Sequence, residues 1–425
     1  MKAGRAHRTK LRRLLTGTCA IGLGLSLAAV PAASQEAPYD LLIAGGHVID
    51  PANEIDGVRD VGIRDGRIVR VAPRITAPAA RRRVDAAGLY VVPGLVDLHT
   101  HHYGYRGALF PDDTALPAGT TTVVDAGGPG WRNFDDYREK ILRRATARVL
   151  TFINSVGLGM GGNESDPADM DPRATADAIL AFPDLIVGVK NAHFGGDGWV
   201  AVERAIEAGR LAGKPAILDS TIASWSGRAT RQKVLEKMRP GDIHTHFYND
   251  RQLEVLDRRT RQVQPYMHEA RRRGVLFDLG HGGGSFFWPV ADRAMAQGFP
   301  PDTISTDLHA GSILSTESDM PDAISKLMLA GMGLHEAIYR STVTPARTIG
   351  RFPEIGTLGE GREADVAILQ METGVFSLHD ARGMKRLARQ RLVNVLTVRA
   401  GEVVYDRHGL AFQDWDTPGA YMGVR

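Results

Sequence analysis

The chain has 425 residues, of which 43% are hydrophobic and 24% are charged, and its formal net charge is +3. This length and balance are typical of a globular protein with a large core, and they exclude a disordered or fibrous chain. The length exceeds that of one typical domain.

Residues 1–34 have the pattern of a secretory signal peptide. Six basic residues and no acidic ones lie there, an apolar stretch covers residues 14–30, and small residues follow in PAAS. We therefore predict cleavage after Ser34 and a periplasmic or secreted protein. The pair Arg12-Arg13 is typical of twin-arginine export. An uncleaved membrane anchor is disfavoured because the apolar stretch is short.

Loss of this segment changes which chemistries are open to the mature chain. The net charge falls from +3 to −3, so the mature chain has no basic excess that would favour nucleic acid. Cys19, the single cysteine, is lost as well. Disulfides and thiolate metal ligands are therefore excluded.

Short strands with turns between them occur at both ends of the mature chain. They are YDLLIAGGHVIDP and DVGIRDGRIVRVAP near the N-terminus, and GREADVAILQ and RLVNVLTVRAGEVVYD near the C-terminus. Gly, Asp-Gly and Pro turns separate these β-rich stretches. We predict that residues 35–92 and 352–425 form one small β-sandwich domain.

The middle region, residues 93–351, alternates strand and helix patterns. Eight candidate strands with β-branched cores are separated mostly by helix-like segments such as VAVERAIEAGRLAG. This alternation predicts an α/β fold of the (β/α)8 TIM-barrel type, with a doubly wound open sheet as the competing architecture. Polar residues stand mostly at the C-terminal ends of the predicted strands, where active sites of such barrels lie, which favours the barrel.

The first barrel strand ends in a histidine pair, in VVPGLVDLHTHH. His99 and His101 are two residues apart, so they project from the same face of a strand, as two ligands of one metal ion need. The last strand ends at Asp307, in STDLH. Its position opposite the pair makes Asp307 a candidate metal ligand and proton acceptor.

Two further residues at strand ends suit the same site. Lys190 ends LIVGVK, where an unpaired ammonium is costly. It is either paired with an acidic residue or carboxylated by CO2, which would make it an anionic ligand able to bridge two metals. His246 ends DIHTHF and is another candidate ligand. Nitrogen and oxygen donors without thiolate suit one or two Zn²⁺ ions and also accommodate Mn²⁺ or Fe²⁺.

Taken together, these motifs resemble the amidohydrolase superfamily. The stretches that carry the resemblance are PGLVDLHTH, GVK, THFY and STDLH, while AGTTTVVDAGGPG, FDLGHGGGSF and GFPPDTISTDLHAGS resemble its deacetylase-like or dihydroorotase-like branch. The resemblance covers nearly all of the mature chain. It implies that His99, His101, Asp307 and carboxylated Lys190 hold one metal, and that Lys190 and His246 hold a second.

One position departs from the family pattern. Strand 5 of the family usually ends in a metal-binding histidine, whereas KPAILDST carries Asp219 there. A carboxylate also ligates zinc, so we expect Asp219 in the second metal site, with His193 as the alternative replacement. The resemblance also implies a substrate contact from His281, in the loop GHGGGSF, and a hydrogen bond within the loop is the alternative for this residue. We also expect Gly283 and His193 to contact the substrate.

The resemblance implies an exported metal-dependent hydrolase that cleaves an amide bond, as an N-acyl deacetylase does, or an ester bond of a small molecule. Asp307 would accept the proton of the attacking water and pass it to the leaving nitrogen. One alternative is a cyclic-amide hydrolase of the dihydroorotase or hydantoinase type, and another is a binding protein without catalysis. We expect a small-molecule substrate and no nucleic-acid or membrane partner for the mature chain. A homo-oligomer is compatible with the sequence.

Overall fold

A computed structural model describes residues 38–76, 80–196, 198–219, 230–249, 255–316 and 318–416. The predicted signal segment, residues 1–34, lies outside the described residues. Within the described ranges, no helix combines the length and the apolar character needed to cross a membrane.

The described residues contain fifteen strands in two sheets. Strands β1–β5 and β13–β15 form a mixed sheet, and strands β6–β12 form a parallel sheet. The strands are β1 Tyr39–Asp50, β2 Ile55–Arg64, β3 Arg67–Ala72, β4 Ala80–Asp85, β5 Tyr90–Pro93, β6 Leu95–Thr100, β7 Thr120–Ala126, β8 Arg148–Asn154, β9 Ile186–Asn191, β10 Ala216–Asp219, β11 Ile243–Thr245, β12 Leu276–Phe277, β13 Val366–His379, β14 Lys385–Arg399 and β15 Glu402–Asp406.

The mixed sheet is built from both ends of the described chain. Strand β5 pairs with β1 in parallel and with β13 in antiparallel orientation, which joins the early strands to the late ones. Asp65 and Gly66 turn the chain between β2 and β3, and both have positive φ (51° and 72°), as a tight hairpin turn requires. The boundaries predicted for a separate sandwich domain stay predictions.

The parallel sheet confirms seven of the eight predicted barrel strands, and they lie side by side in chain order. Every residue of β6, β7 and β9 is buried, as in parallel sheets covered on both faces. The eighth predicted strand is not regular. Its residues Thr303 and Leu308 form isolated parallel bridges to Asp278 and Thr100, beside the two edges of the sheet. The left-handed backbone at Asp307 (φ 50°) interrupts regular pairing there.

Helices connect most of the parallel strands. Asp171 and Asp319 cap helices by accepting backbone N–H groups, and Gly213 ends one in the left-handed conformation. The helix that begins at Phe134 is short, because it passes into a π-helical turn at Arg138–Leu142. The helices are α1 Pro111–Thr114, α2 Phe134–Tyr137, α3 Pro172–Ala181, α4 Val200–Ala212, α5 Thr230–Lys237, α6 Pro265–Arg272, α7 Trp288–Ala296, α8 Ala310–Thr316, α9 Met320–Leu329, α10 Leu334–Ser341 and α11 Val343–Thr348.

An apolar layer covers part of one face of the parallel sheet. Phe152, Ile217 and Ile243 belong to this buried cluster. Ile217 pairs in register with Lys190 of β9, and in-register neighbours of a parallel pair share a face. The charged groups at the strand ends therefore lie next to this apolar cluster, where solvent screens the interactions between charges only weakly.

Candidate metal centre

The C-terminal ends of the parallel strands bring five predicted site residues together. His99 lies in β6, Lys190 in β9 and Asp219 at the end of β10, while His246 directly follows β11. Asp307 lies in residues 303–308, the segment whose isolated bridges reach both edges of the parallel sheet. The first four are buried, and the side chain of Asp307 is 13% exposed. The site therefore opens outward at Asp307.

Three of these residues direct ligand atoms into one space. One ligand atom each from His99, His246 and Asp307 lies within 4.8 Å of the other two, which is a spacing that can hold a metal ion. The Nε2 of His99 is 3.5 Å from Asp307 Oδ1. The Nε2 of His246 is 4.0 Å from Asp307 Oδ2 and 3.7 Å from Asp219 Oδ2.

Hydrogen bonds decide which nitrogen of His99 faces this space. Thr245 Oγ1 donates to Asp278 Oδ2 over 2.8 Å, so it accepts from His99 Nδ1, which is 2.9 Å away. Nε2 of His99 is then left with its lone pair, 3.2 Å from Lys190 Nζ. Burial, and after it the charge of Lys190, lowers the pKa of His99 well below its usual value. His99 is therefore a neutral imidazole whose Nε2 lone pair accepts from Lys190 and is the atom that would bind a metal.

The orientation of His246 is determined in the same way. Its Nδ1 lies 2.6 Å from the Gly280 carbonyl oxygen, which can only accept, so Nδ1 carries the proton. Nε2 therefore faces the carboxylates of Asp219 and Asp307. Gly280 allows this approach, since a Cβ there would lie 2.7 Å from His246 Nδ1. Two imidazole nitrogens and two carboxylates converge in this space, where a bound cation would balance the carboxylate charges. The donor set fits a divalent metal bound through nitrogen and oxygen.

His101 is placed beside this cluster and contacts its carboxylate. Its Nε2 donates to Asp307 Oδ1 over 2.8 Å, and its buried Nδ1 has no hydrogen-bond partner among the described residues. The ring of Tyr105 stacks on it with a centroid distance of 4.6 Å. Burial would raise the pKa of Asp307, but the hydrogen bond from His101 and nearby imidazoles outweigh it, and the pKa is lowered. Asp307 is therefore held ionised.

Lys190 is buried in the same cluster, and the hydrogen bond that the structure shows for its Nζ is the one to His99. Burial lowers the pKa of Lys190, while the charges of Asp219 and Asp307 oppose the shift. Among the described residues, no carboxylate lies within ion-pair distance of Nζ, so the predicted alternative of a direct acidic partner is not observed. Carboxylation of Lys190 stays a prediction.

The residues predicted to contact substrate occupy different environments. His193 has a side chain that is 46% exposed, and its Nδ1 lies 2.8 Å from Glu164 Oε2, a bond that raises its pKa. His281 is fully buried with both ring nitrogens bonded inside the protein, so its ring offers no atom to a substrate. Gly283 adjoins α8, and it is Gly282 that approaches Asp307.

Three residues that support the site were missed at the sequence level. Thr245 and Asp278 orient His99, and Glu164 bonds His193. An aspartate directly after an apolar pair, in LFDLG, is a signal that could have indicated Asp278. Glu164 reaches His193 across 29 residues of the chain, and no local pattern predicts that contact.

Strained backbone is concentrated at the predicted site. Seven non-glycine residues in the described ranges have positive φ, and three of them are His193 (54°), His246 (60°) and Asp307 (50°). This conformation is uncommon for residues with a side chain, and it tends to persist at functional sites. The strain supports a functional role for these three residues.

Comparison with known proteins identifies the family. A deacetylase from Brucella anthropi is 30% identical over 348 residues, which cover 79% of this chain and 85% of the relative. This chain belongs to the amidohydrolase superfamily, in its deacetylase-like or dihydroorotase-like branch. A deacetylase from Enterococcus faecalis is 27% identical over 380 residues, which cover 87% of this amidohydrolase and 99% of the relative. No protein-family model matches the chain.

Solved structures support the same assignment. An adenine deaminase matches with a TM-score of 0.78 and 27% identity, covering 87% of this chain and 100% of that one. A dihydroorotase matches with a TM-score of 0.74 and 26% identity, and the match covers 86% of this chain and 99% of the dihydroorotase. This amidohydrolase is therefore a metal-dependent enzyme acting on carbon–nitrogen bonds other than peptide bonds.

Replacement of Thr245 tests the orientation of His99. Thr245→Val keeps the shape of the side chain but removes the acceptor for His99 Nδ1, and we expect Zn²⁺ affinity to fall about 10- to 100-fold. Titration of metal-free protein with Zn²⁺ in a competing chelator measures this. Thr397→Val is the matched control, because it also removes a buried hydroxyl, which lies in β14 of the mixed sheet and donates to the Leu116 carbonyl. Wild-type Zn²⁺ affinity in Thr245→Val would contradict the assignment.

Proposed function

We propose that this amidohydrolase is an exported zinc-dependent deacylase that hydrolyses the amide bond of a small N-acyl compound, with ester hydrolysis as a related activity. One observation carries the proposal: one ligand atom each from His99, His246 and Asp307 lies within 4.8 Å of the other two, in a largely buried space. The relatives named deacetylase support the acyl substrate.

The proposed ligand sets are those expected from the family resemblance. His99, His101, Asp307 and carboxylated Lys190 would hold one metal, and Lys190, His246 and Asp219 would hold a second. Zinc is the first choice for nitrogen and oxygen donors, and manganese or iron also fit them. A divalent cation bound there supplies a Lewis acid that polarises a carbonyl and lowers the pKa of water.

Asp307 is the proposed catalytic proton carrier. Its lowered pKa keeps it ionised near neutral pH, so it can accept a proton from the attacking water. It is the most exposed of the five clustered side chains, so substrate and water can reach it. Asp307 would then pass that proton to the leaving nitrogen.

The partly exposed His193 is the proposed contact for a polar group of the substrate. Its bond to Glu164, which also accepts from Asn154 Nδ2 over 3.0 Å, holds the ring in place. The raised pKa of His193 favours the imidazolium form, which would attract a substrate carboxylate. An N-acylated amino acid carries such a group beside its amide bond.

We also propose that residues 303–308 close the parallel sheet into a (β/α)8 barrel, with the mixed sheet as a small β-sandwich domain. The isolated bridges at Thr303 and Leu308 support this closure. Export rests on the sequence pattern of residues 1–34, and a mature N-terminus at Gln35 would support it.

A substrate panel tests the proposed reaction. We expect kcat/KM for N-acetyl amino acids to exceed that for cyclic ureides and for adenine by at least about tenfold, since two relatives named deacetylase match this chain over 79% and 87% of its length. A chelator should abolish turnover, and Zn²⁺ should restore it. A preference for dihydroorotate or a hydantoin would instead support the second candidate, a cyclic-amide hydrolase. The structural match to a dihydroorotase is the observation that supports this second candidate.

Carboxylation of Lys190 makes a separate prediction. Lys190→Ala should lose activity, and acetate or propionate should restore part of it by supplying the missing carboxylate oxygens. Intact protein handled gently near neutral pH should carry about 44 Da of extra mass at Lys190, the mass of added CO2. Lys237→Ala is the control, because Lys237 pairs with Glu203 on the surface and should show no rescue. A metal-loaded crystal structure with a bare Lys190 ammonium would refute the carboxylation.

Asp219 decides whether a second metal binds. Asp219→Ala should reduce the metal content from two ions per chain to one, because it removes a ligand of the second site only. Asp219→His should keep both ions, and it should shift the pH at which activity rises to a lower value, since a neutral ligand leaves the metal a stronger Lewis acid. Metal analysis and pH–rate profiles measure both effects. Asp292→Ala is the control, because Asp292 pairs with Arg386 elsewhere. Unchanged metal content in Asp219→Ala would show that Asp219 is no ligand.

A further inference from the structure

A buried lysine lies behind the glycine-rich loop of the metal centre. Lys326, in α9, has no exposed surface. Its Nζ donates to the Thr316 carbonyl oxygen over 3.0 Å, lies 2.6 Å from Asp322 Oδ2 and lies 3.1 Å from His281 Nε2. The ammonium is therefore neutralised by Asp322 and has one remaining contact, to the imidazole.

This contact determines the protonation of His281. A lysine ammonium only donates, so His281 Nε2 accepts and its proton lies on Nδ1. Nδ1 in turn lies 2.9 Å from the Gly282 carbonyl oxygen, which can only accept. Both contacts thus require the same neutral tautomer. Burial, followed by the charge of Lys326, holds the pKa of His281 well below its usual value, which agrees with a neutral ring.

His281 connects this lysine to the catalytic carboxylate. Gly282 has φ 51°, and its N–H donates to the Thr306 carbonyl oxygen over 2.8 Å. A Cβ on Gly282 would lie 2.1 Å from Asp307 Oδ2, so this turn forms the wall against which the carboxylate rests. The ring of Phe286 stacks on His281 at 4.8 Å and 12°, which fixes the plane of the imidazole.

We propose that Lys326 is a positioning residue for Asp307, acting through the Nδ1–H tautomer of His281 and the Gly282 turn. With the other tautomer, the Nδ1 lone pair would face the Gly282 carbonyl oxygen and the Nε2 proton would face the ammonium. Both contacts would be repulsive, and the turn would move away from Asp307. Lys326 touches neither substrate nor metal. The effect on turnover rests on the proposed function, whereas the tautomer does not.

The first test compares two substitutions in α9. Lys326→Met should lower kcat about 10- to 100-fold on the preferred amide with KM changed less than about twofold, because misplacing a catalytic group affects the chemical step. Ser325→Ala is the matched control. It removes a buried hydroxyl of the same helix that bonds the Pro321 carbonyl and the Leu392 N–H, away from His281. It should lower Tm with kcat unchanged. Equal losses of kcat in both variants, in proportion to Tm, would overturn the proposal.

A second substitution tests whether Lys326 acts through His281. In His281→Asn the amide nitrogen takes the place of Nδ1 and can still donate to the Gly282 carbonyl, but no acceptor remains for Lys326. In this background, Lys326→Met should lower kcat by less than about twofold further, since coupled residues are not additive. A full additional loss would show that Lys326 acts by another route.

A third measurement does not depend on turnover. Nitrogen-15 spectra of the histidine rings distinguish the two neutral tautomers, and the His281→Asn variant identifies the signals of His281 among the 14 histidines. We expect the wild-type proton on Nδ1. A proton on Nε2 would overturn the proposal even in an active enzyme. Absence of amide turnover combined with the Nδ1 proton would reject the proposed function and leave this inference standing.

Discussion

The site is organised by electron-rich groups that share one buried space. The Nε2 atom of His99 lies 3.5 Å from the Asp307 carboxylate, and the Nε2 atom of His246 lies 3.7 Å from Asp219 and 4.0 Å from Asp307. In a poorly screened interior, two neighbouring carboxylates are costly unless cations balance their charge, and the Lys190 ammonium beside His99 supplies one positive charge. Thr245 and Gly280 bond the Nδ1 atoms of the two histidines, so both Nε2 atoms face the shared space. The fold therefore maintains a site that metal binding stabilises.

Backbone conformation directs the side chains at the strand ends toward this space. His246 and Asp307 leave their strands in the left-handed conformation, which turns each side chain toward the centre. The glycines opposite them, Gly280 and Gly282, leave room that any Cβ would fill. Both residues are predicted metal ligands, and sparsely populated backbone conformations tend to persist at functional sites. The two left-handed residues and the glycines opposite them together determine where these side chains lie.

The strands, and the residues at their ends, could be predicted from the sequence because they follow a local periodicity. Contacts that depend on hydrogen bonds between distant residues could not be predicted. Alternation and apolar runs placed His99 and Lys190 at strand ends, and seven of the eight predicted strands are regular. The irregular eighth segment depends on the turn at Asp307, which no local pattern reveals. The burial of His281 depends on Lys326, 45 residues later. From the sequence alone, a histidine in a glycine-rich loop suggests a substrate contact. The structure shows that the Lys326 side chain contacts this histidine instead.

Charge balance links the state of Lys190 to the number of metal ions. With an ammonium on Lys190, the cluster of Lys190, Asp219 and Asp307 carries one net negative charge, which a single divalent cation more than neutralises. Carboxylation replaces a positive with a negative charge, so the cluster gains two negative charges, the amount that one further divalent cation balances. In a buried site neither change is favourable alone. Carboxylation and the second metal should therefore occur together, and Asp219, which adds a charge that histidine would not, favours the fully loaded state.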